Sequence, residues 1–345
     1  MTTTAADVVA LANRYLGIGS VVGFEQALLD TIDAEATAAG LPVRRGPGVV
    51  DLGEGSDLVL SAHADRHGLV RRSDGTFGYA AHELRDAEGE TGHPSRRFLD
   101  RVCGRLFDEE VFAYDAGSGQ VLARSAVPHM CRLDGALTVD IAGLDDVPAG
   151  TPVAFAHGCV TSGESLSGQL DNALGVAIAV GLVLGGDVPR ALVTTREEVG
   201  GSAEVVVAHL ADERPRLLVI DTSPFDDEAT AARGAVVLRH ADAGAAFDPG
   251  TTDRVRLAAQ RLGIETVFKD DWIAEQNRAR VAAGEHVAGL GRTELGRIIE
   301  LTRGALTGTT VQVPTFDYHT NHETTTVAAL EAIVAVLAEC GQGHR

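Results

Sequence analysis

Apolar and polar positions follow two rhythms along this chain. The first stretch is helical: "ADVVALANRYLG" and "GFEQALLDTIDAEATAAG" repeat apolar residues every three to four positions, and each run stops at a glycine, Gly17 and Gly40. "SDLVLSAHAD" then compresses into a short apolar run that predicts a buried strand. From residue 71 to 158 the runs are short and alternating, as in "EEVFAYDAGSGQVLARSAV" and "ALTVDIAGLDDVPAGTPVAFAH". Turn signals cut them: "SDG", "DAGSG", "LDG", "PAG". This predicts a β-rich module of roughly ninety residues, the size of a small domain.

Beyond it, helix and strand alternate. "LDNALGVAIAVGLVLGG", "SAEVVVAHLADE", "TTDRVRLAAQRLG" and "TELGRIIELTRG" read as helices, and "TTTVAALEAIVAVLAECG" as a closing helix. "ALVTTREE", "RLLVID" and "TTVQVPT" read as strands. The pattern predicts an α/β fold with a mainly parallel sheet flanked by helices. Residues 1–70 and 159–345 would build that frame, with a small β-rich domain inserted at 71–158.

Composition narrows the class. A chain of 345 residues, 45% hydrophobic and 23% charged, is an ordinary globular protein with room for an insertion. Aromatics are only 4%, so small aliphatic side chains must fill the core. The formal net charge of -20 argues against nucleic acid or an anionic membrane as partner and fits a cytoplasmic protein. No apolar run approaches the roughly 20 residues a membrane span needs. "MTTTAADVVALANRYLG" lacks a basic lead and a long apolar stretch, so it reads as a capped helix rather than a signal peptide. Cys103, Cys131, Cys159 and Cys340 are scattered without a CxxC pair, which argues against a thiolate zinc site or a disulfide framework.

The chemistry collects just past the strand ends. His63 and Asp65 follow "LVLSA", Asp171 opens the helix "LDNALGVAIAV", and Glu197 and Glu198 follow "ALVTTR". Asp221 follows "RLLVI", and His319 follows "TTVQVPT". In open α/β sheets, ligands bind outside the carboxyl ends of the strands. Several elements would thus deliver His, Asp and Glu to one edge, a donor set suited to Zn²⁺, Mn²⁺ or Co²⁺. Each residue alone has a structural reading: Asp171 as a helix cap, Asp221 as a turn cap, the glutamate pair as a solvated turn. His67, His82, His93 and His157 show no such placement.

The chain resembles the glutamyl and deblocking aminopeptidases, the tetrahedral co-catalytic metallopeptidases, along nearly its whole length. "SAHADRHG" looks like that family's His-x-Asp block, "LDNALGVAIA" like the block with its bridging aspartate, and "TTREEVG" like its Glu-Glu-Val-Gly block. "LLVIDTSP" and "VQVPTFDYHTNHE" look like its last two ligand blocks. The resemblance implies two divalent metal ions, Zn²⁺ by default with Co²⁺ or Mn²⁺ as possible activators. His63, Asp171 and Asp221 would hold one, and Asp171, Glu198 and His319 the other. It implies Glu197 as general base and Asp65 as the carboxylate orienting His63. His322 is a nearby rival for the role of His319. The implied activity is removal of N-terminal residues from short peptides, by a homo-oligomer of up to twelve chains. The chain departs from the pattern at Arg66 and His67, Asn172, Phe316 and Asp317, and Thr320 and Asn321. Those departures motivate one rival, an amidohydrolase or deacylase of a dipeptide-like or N-acyl metabolite; a second rival, a metal-free scaffold of the same fold, is opposed by the intact set of ligands. For the adjacent glutamates, an extended backbone would point Glu197 and Glu198 to opposite sides, suiting two separate tasks.

Overall fold

Four parallel strands make the centre of the molecule: β13 (Arg190–Thr194), β3 (Leu58–His63), β14 (Arg216–Pro224) and β17 (Thr307–Thr315). The computed structural model describes residues 2–55, 57–87, 100, 102–104, 109–127, 131–133, 137–225 and 227–342. On one side the sheet continues antiparallel through β2 (Val49–Gly53) and β1 (Val43–Gly46). On the other it adds β15 (Val236–Leu238), antiparallel to β17, and then β16 (Thr266–Phe268). The fold is therefore α/β around a mainly parallel sheet. The β1–β2 hairpin and the segment around β15 and β16 were not legible in the hydrophobic pattern.

Alternation along the central strands feeds two cores. Leu58, Leu60 and Ala62 face one side, and Val59 the other. The larger core takes in α1 (Ala5–Leu16), α2 (Gln26–Ala38), α4 (Ala173–Leu184), α7 (Pro249–Arg261) and α10 (Val327–Gln342). The smaller takes in α5 (Ser202–His209) and α9 (Glu294–Thr302). A sheet covered on both faces is what apolar strands such as "LVLSAH" require. α1 starts at a capping box, in which the Thr4 side chain accepts from the Asp7 N–H while the Asp7 carboxylate accepts from the Thr4 N–H. α4 is buried on all sides from Ala173 to Val183, which fixes its first turn rigidly beneath the strand ends. The short α6 (Glu228–Ala232) is capped by Asp227, and α8 (Lys269–Ala282) follows β16.

Between β3 and α4 lies a second, antiparallel sheet. Its order is β7 (Val121–Ala126), β6 (Glu110–Tyr114), β10 (Pro152–Phe155), β4 (Leu69–Arg71), β5 (Phe77–Tyr79), β9 (Leu137–Val139) and β8 (Cys131–Leu133). It packs its own core of Leu69, Phe77, Phe112, Tyr114 and Phe155, with α3 (Ala80–Ala87) alongside. A third small sheet joins β11 (Val160–Ser162), β12 (Ser165–Gly168) and β18 (Glu323–Thr326). Cys103, Cys159 and Cys340 are free and buried. Among the described residues, no helix is long and apolar enough to cross a membrane.

Candidate metal centre

The carboxyl ends of β3, β13, β14 and β17 open into a cavity of about 580 Å³. His63, the last residue of β3, points Nε2 at two carboxylates: Asp171 Oδ1 at 3.4 Å and Asp221 Oδ1 at 3.6 Å. Asp171 precedes α4, and its other oxygen, Oδ2, lies 3.6 Å from His319 Nε2. Asp171 thus stands between the two histidines. One ligand atom each from His63, Asp171 and Asp221 lie within 4.8 Å of one another.

A second trio meets the same limit, and it consists of His67, Asp171 and His319. His67, which has no strand-end placement in the sequence pattern, enters the site from the loop leaving β3. Its Nε2 is 3.0 Å from Glu198 Oε2, and its Nδ1 is 2.5 Å from the Tyr79 hydroxyl on β5. The imidazole of His319 meets it edge-on, with ring centroids 5.3 Å apart. Glu198 therefore reaches the cluster beside His67 and is not among the atoms of either trio. His322, the sequence rival of His319, points elsewhere, to Glu109.

The adjacent glutamates do not lie on an extended strand. β13 ends at Thr194, and Arg196 takes a left-handed φ of 73°. Glu197–Val199 then forms a single 3₁₀ turn closed by Gly200 at φ 79°. The tight turn swings both side chains toward the cavity, so alternation on an extended backbone is not what separates their roles. Both turn N–H groups, of Glu197 and Glu198, donate to the Asp65 carboxylate at 3.1 and 2.9 Å. Asp65 faces His63 too, but its backbone oxygen is nearer to Nδ1, at 3.1 Å, than its carboxylate at 3.5 Å. Asp65 accordingly orients His63 and anchors the glutamate turn at once. Glu197 Oε1 accepts from Arg297 Nη1 at 2.5 Å.

Glu323 has no strand-end placement in the sequence pattern, yet it supports the site. It is 1% exposed and opens β18. One oxygen accepts the Asp171 N–H at 2.8 Å and the other the His319 N–H at 2.7 Å. A carboxylate heading a run of threonines was the available signal. Asn172, one of the departures from the family pattern, donates through Nδ2 to the Ile220 carbonyl at 2.8 Å and so ties α4 to β14. Only glycine fits one turn later, because a Cβ at Gly175 would stand 2.1 Å from Asn172 Oδ1. Arg66 is fully enclosed and holds Ser20 Oγ at 2.8 Å, Gln169 Oε1 at 3.3 Å and the Ile18 carbonyl at 2.6 Å.

Burial and crowding set the electrostatics. Burial alone would lower the His63 pKa, but Asp171, Asp221 and Asp65 outweigh it and hold the imidazole well above its usual range. Burial is opposed in Asp171 by His63 and His319, which bring its pKa below the ordinary value. Asp221 is raised by burial, and Glu198 is raised well above its usual range by burial and by Asp171. Burial pushes Glu197 up to about 8 against the pull of His63 and Arg297. The buried oxygens Asp171 Oδ1, Glu198 Oε1 and Asp221 Oδ1 have no hydrogen-bond partner among the described residues. Buried carboxylate oxygens that face imidazoles without a hydrogen bond are costly unless a cation sits among them. Carboxylate and imidazole donors fit Zn²⁺ or a neighbouring first-row ion.

No family model and no curated protein sequence matches the chain. Solved structures do. A TET aminopeptidase from a marine sediment archaeon of the Thaumarchaeota superposes with TM-score 0.70 at 16% identity, covering 97% of this chain and 96% of its own. The chain has the fold of the TET aminopeptidases. A TET peptidase of Pyrococcus horikoshii, described as assembling into a tetrahedron or a large octahedral shell, gives 0.69 at 18% identity over 97% of this chain and 99% of that one. An aminopeptidase from Desulfurococcus kamchatkensis gives 0.69 at 15% identity over 97% and 94%. The expected fold resemblance therefore holds over nearly the whole length, with low sequence identity throughout.

Proposed function

We propose that the protein is a metallo-aminopeptidase that removes N-terminal residues from short peptides. The observation that carries this is Asp171, which faces His63 with one oxygen and His319 with the other. That is the placement of a carboxylate shared between two divalent ions, most simply Zn²⁺. His63, Asp171 and Asp221 would hold one ion, and Asp171 and His319 the other, with His67 and Glu198 beside them. Two such ions, when bound, polarise a scissile carbonyl and lower the pKa of water.

The chain's own groups do the rest. Glu197 takes a proton at its free carboxylate oxygen and passes it to the leaving amine. Burial raises its proton affinity, which a carboxylate that must take up and hand on a proton requires. Arg297 fixes the carboxylate from behind, and Asp65 fixes the turn it stands on. The wall also carries Arg239 and Lys269, cations that are 3% and 5% exposed. Both favour substrates bearing a carboxylate. Residues 71–158 fit the role of an inserted β-rich domain, and the fold it shares with assembling TET peptidases supports a homo-oligomer.

Asp171→Ala tests this reading. It should lose both ions and all turnover of aminoacyl anilides and peptides. A wild-type protein that cleaves only N-blocked substrates would move the site to the amidohydrolase alternative, and retention of two ions by Asp171→Ala would overturn the site itself.

A further inference from the structure

A second group of metal-ligating side chains lies outside the cavity. Glu109 directly precedes β6 and His157 closely follows β10. These two strands pair antiparallel, with Phe155 opposite Val111, so their ends bring both side chains to one spot. His322 reaches the same spot from the loop between β17 and β18. Its Nε2 is 2.9 Å from Glu109 Oε1, and its ring meets that of His157 at a centroid distance of 4.4 Å and an angle of 78°. One ligand atom from each residue lies within 4.8 Å of the others. Glu109 is buried, whereas the His322 side chain is 57% exposed.

Donors around a tetrahedral zinc, at about 2.0–2.2 Å from the ion, stand roughly 3.3–3.6 Å apart. The trio needs only a small closure to reach that spacing, and the exposed His322 has the freedom to make it. Two imidazoles and one carboxylate are also a donor set that zinc takes with a fourth position left to water. We propose that Glu109, His157 and His322 form a further zinc site, separate from the cavity, which clamps the β17–β18 loop onto the antiparallel sheet. The bound ion replaces the Glu109–His322 hydrogen bond with two bonds to the metal, and adds His157 as a third. Because His319 sits on the same loop, an occupied clamp steadies the residue that faces Asp171.

Metal content separates this site from the cavity. Purified protein is stripped with chelator, equilibrated with Zn²⁺ and dialysed, and zinc per chain is measured for wild type, His157→Ala, His322→Ala, Glu109→Gln and Asp171→Ala. The expected result is one ion fewer in each clamp variant than in wild type. One ion should persist in Asp171→Ala, and adding His322→Ala should remove it. Zinc should also raise the Tm of Asp171→Ala protein, and not that of the double variant. If the clamp variants bind as much zinc as wild type, and zinc leaves the Tm of Asp171→Ala unchanged, the site is refuted. If the cavity reading alone fails, wild type binds a single ion that is lost with His322→Ala and kept in Asp171→Ala.

Discussion

His67 Nε2 lies 3.0 Å from Glu198 Oε2, two residues that the sequence pattern treats quite differently. The histidine has a ligand atom in reach of both Asp171 and His319, and Glu198 stands directly beside it. An imidazole there would add a softer nitrogen donor to the carboxylates around a second ion. His67→Ala should therefore weaken the second ion selectively. Titration of chelator-treated His322→Ala protein, which lacks the outer site, with Zn²⁺ should show one tight cavity site and, once His67→Ala is added, a second weakened by tenfold or more, roughly 1.4 kcal/mol. Unchanged affinity for both ions would exclude His67 from the centre.

Glu197 makes the sharpest catalytic prediction. Glu197→Gln preserves the volume and an acceptor for Arg297 but cannot carry the proton. Turnover should drop by about 10²- to 10⁴-fold, the usual contribution of a general base. Zinc content should match wild type. A variant that keeps its activity would remove the glutamate from the proton path.

Glu323 offers a test of positioning without ligation. It accepts the N–H groups of Asp171 and His319 through separate oxygens. Glu323→Gln leaves one of those two donors facing an amide NH₂. Metal affinity should fall by about 10- to 100-fold, as it does when outer partners of a metal centre are altered. Fold stability, read by Tm of metal-free protein, should move far less than zinc affinity.

The pH dependence of stability should carry a signature of Glu25. Burial, with the Asp65 charge adding to it, raises this carboxyl to about 8, while the unfolded value stays near 4.5. The native state then holds a proton that the unfolded state releases across this interval. The contribution is complete below about pH 4.5 and is lost progressively as the pH rises to 8. Glu25→Gln, which keeps an acceptor for the Gly23 N–H, should gain stability over wild type across that window and hold the gain above it. Denaturant unfolding at several pH values measures the difference, and a gap that does not grow with pH would contradict the assignment.

Arg239 tests the substrate. Its Nη2 donates to the Leu290 carbonyl, while Nε has no hydrogen-bond partner among the described residues. Arg239→Met should raise KM for peptides with an acidic N-terminal residue by about tenfold, or 1.4 kcal/mol. Peptides with a neutral N-terminal residue should show little change. Equal effects on both would make the arginine structural.

The strand ends were legible because physics allows few readings of them. Runs such as "LVLSAH" and "RLLVID" are too apolar for anything but a central strand, and polar residues just beyond must face the crevice. His63, at the last position of β3, and His319, in the loop after β17, follow from that logic, whereas Asp221 sits within β14, which runs on to Pro224, and Asp171 stands just ahead of α4. His67 and Glu323 do not follow from it, because neither ends a strand of the parallel sheet. His67 is delivered by the exit path of the chain toward the second sheet and by Tyr79 behind it, a partner twelve positions away. Glu323 depends on β18 pairing with β12, which sets Glu323 opposite Gly168. The geometry of the glutamate pair was hidden for a different reason: a left-handed residue at Arg196 is a backbone choice that arginine rarely makes.

The loop between β17 and β18 sends His319 to one side and His322 to the other, only three positions apart. Asp317 and His319 both adopt left-handed φ, at 51° and 64°, which fixes how the chain winds between them. Loop length is thus constrained as tightly as loop composition. Removing or adding a single residue between these histidines would rotate one of them away from its partners, even with every side chain retained. In related chains, the spacing of the two histidines should therefore tolerate substitution far better than insertion.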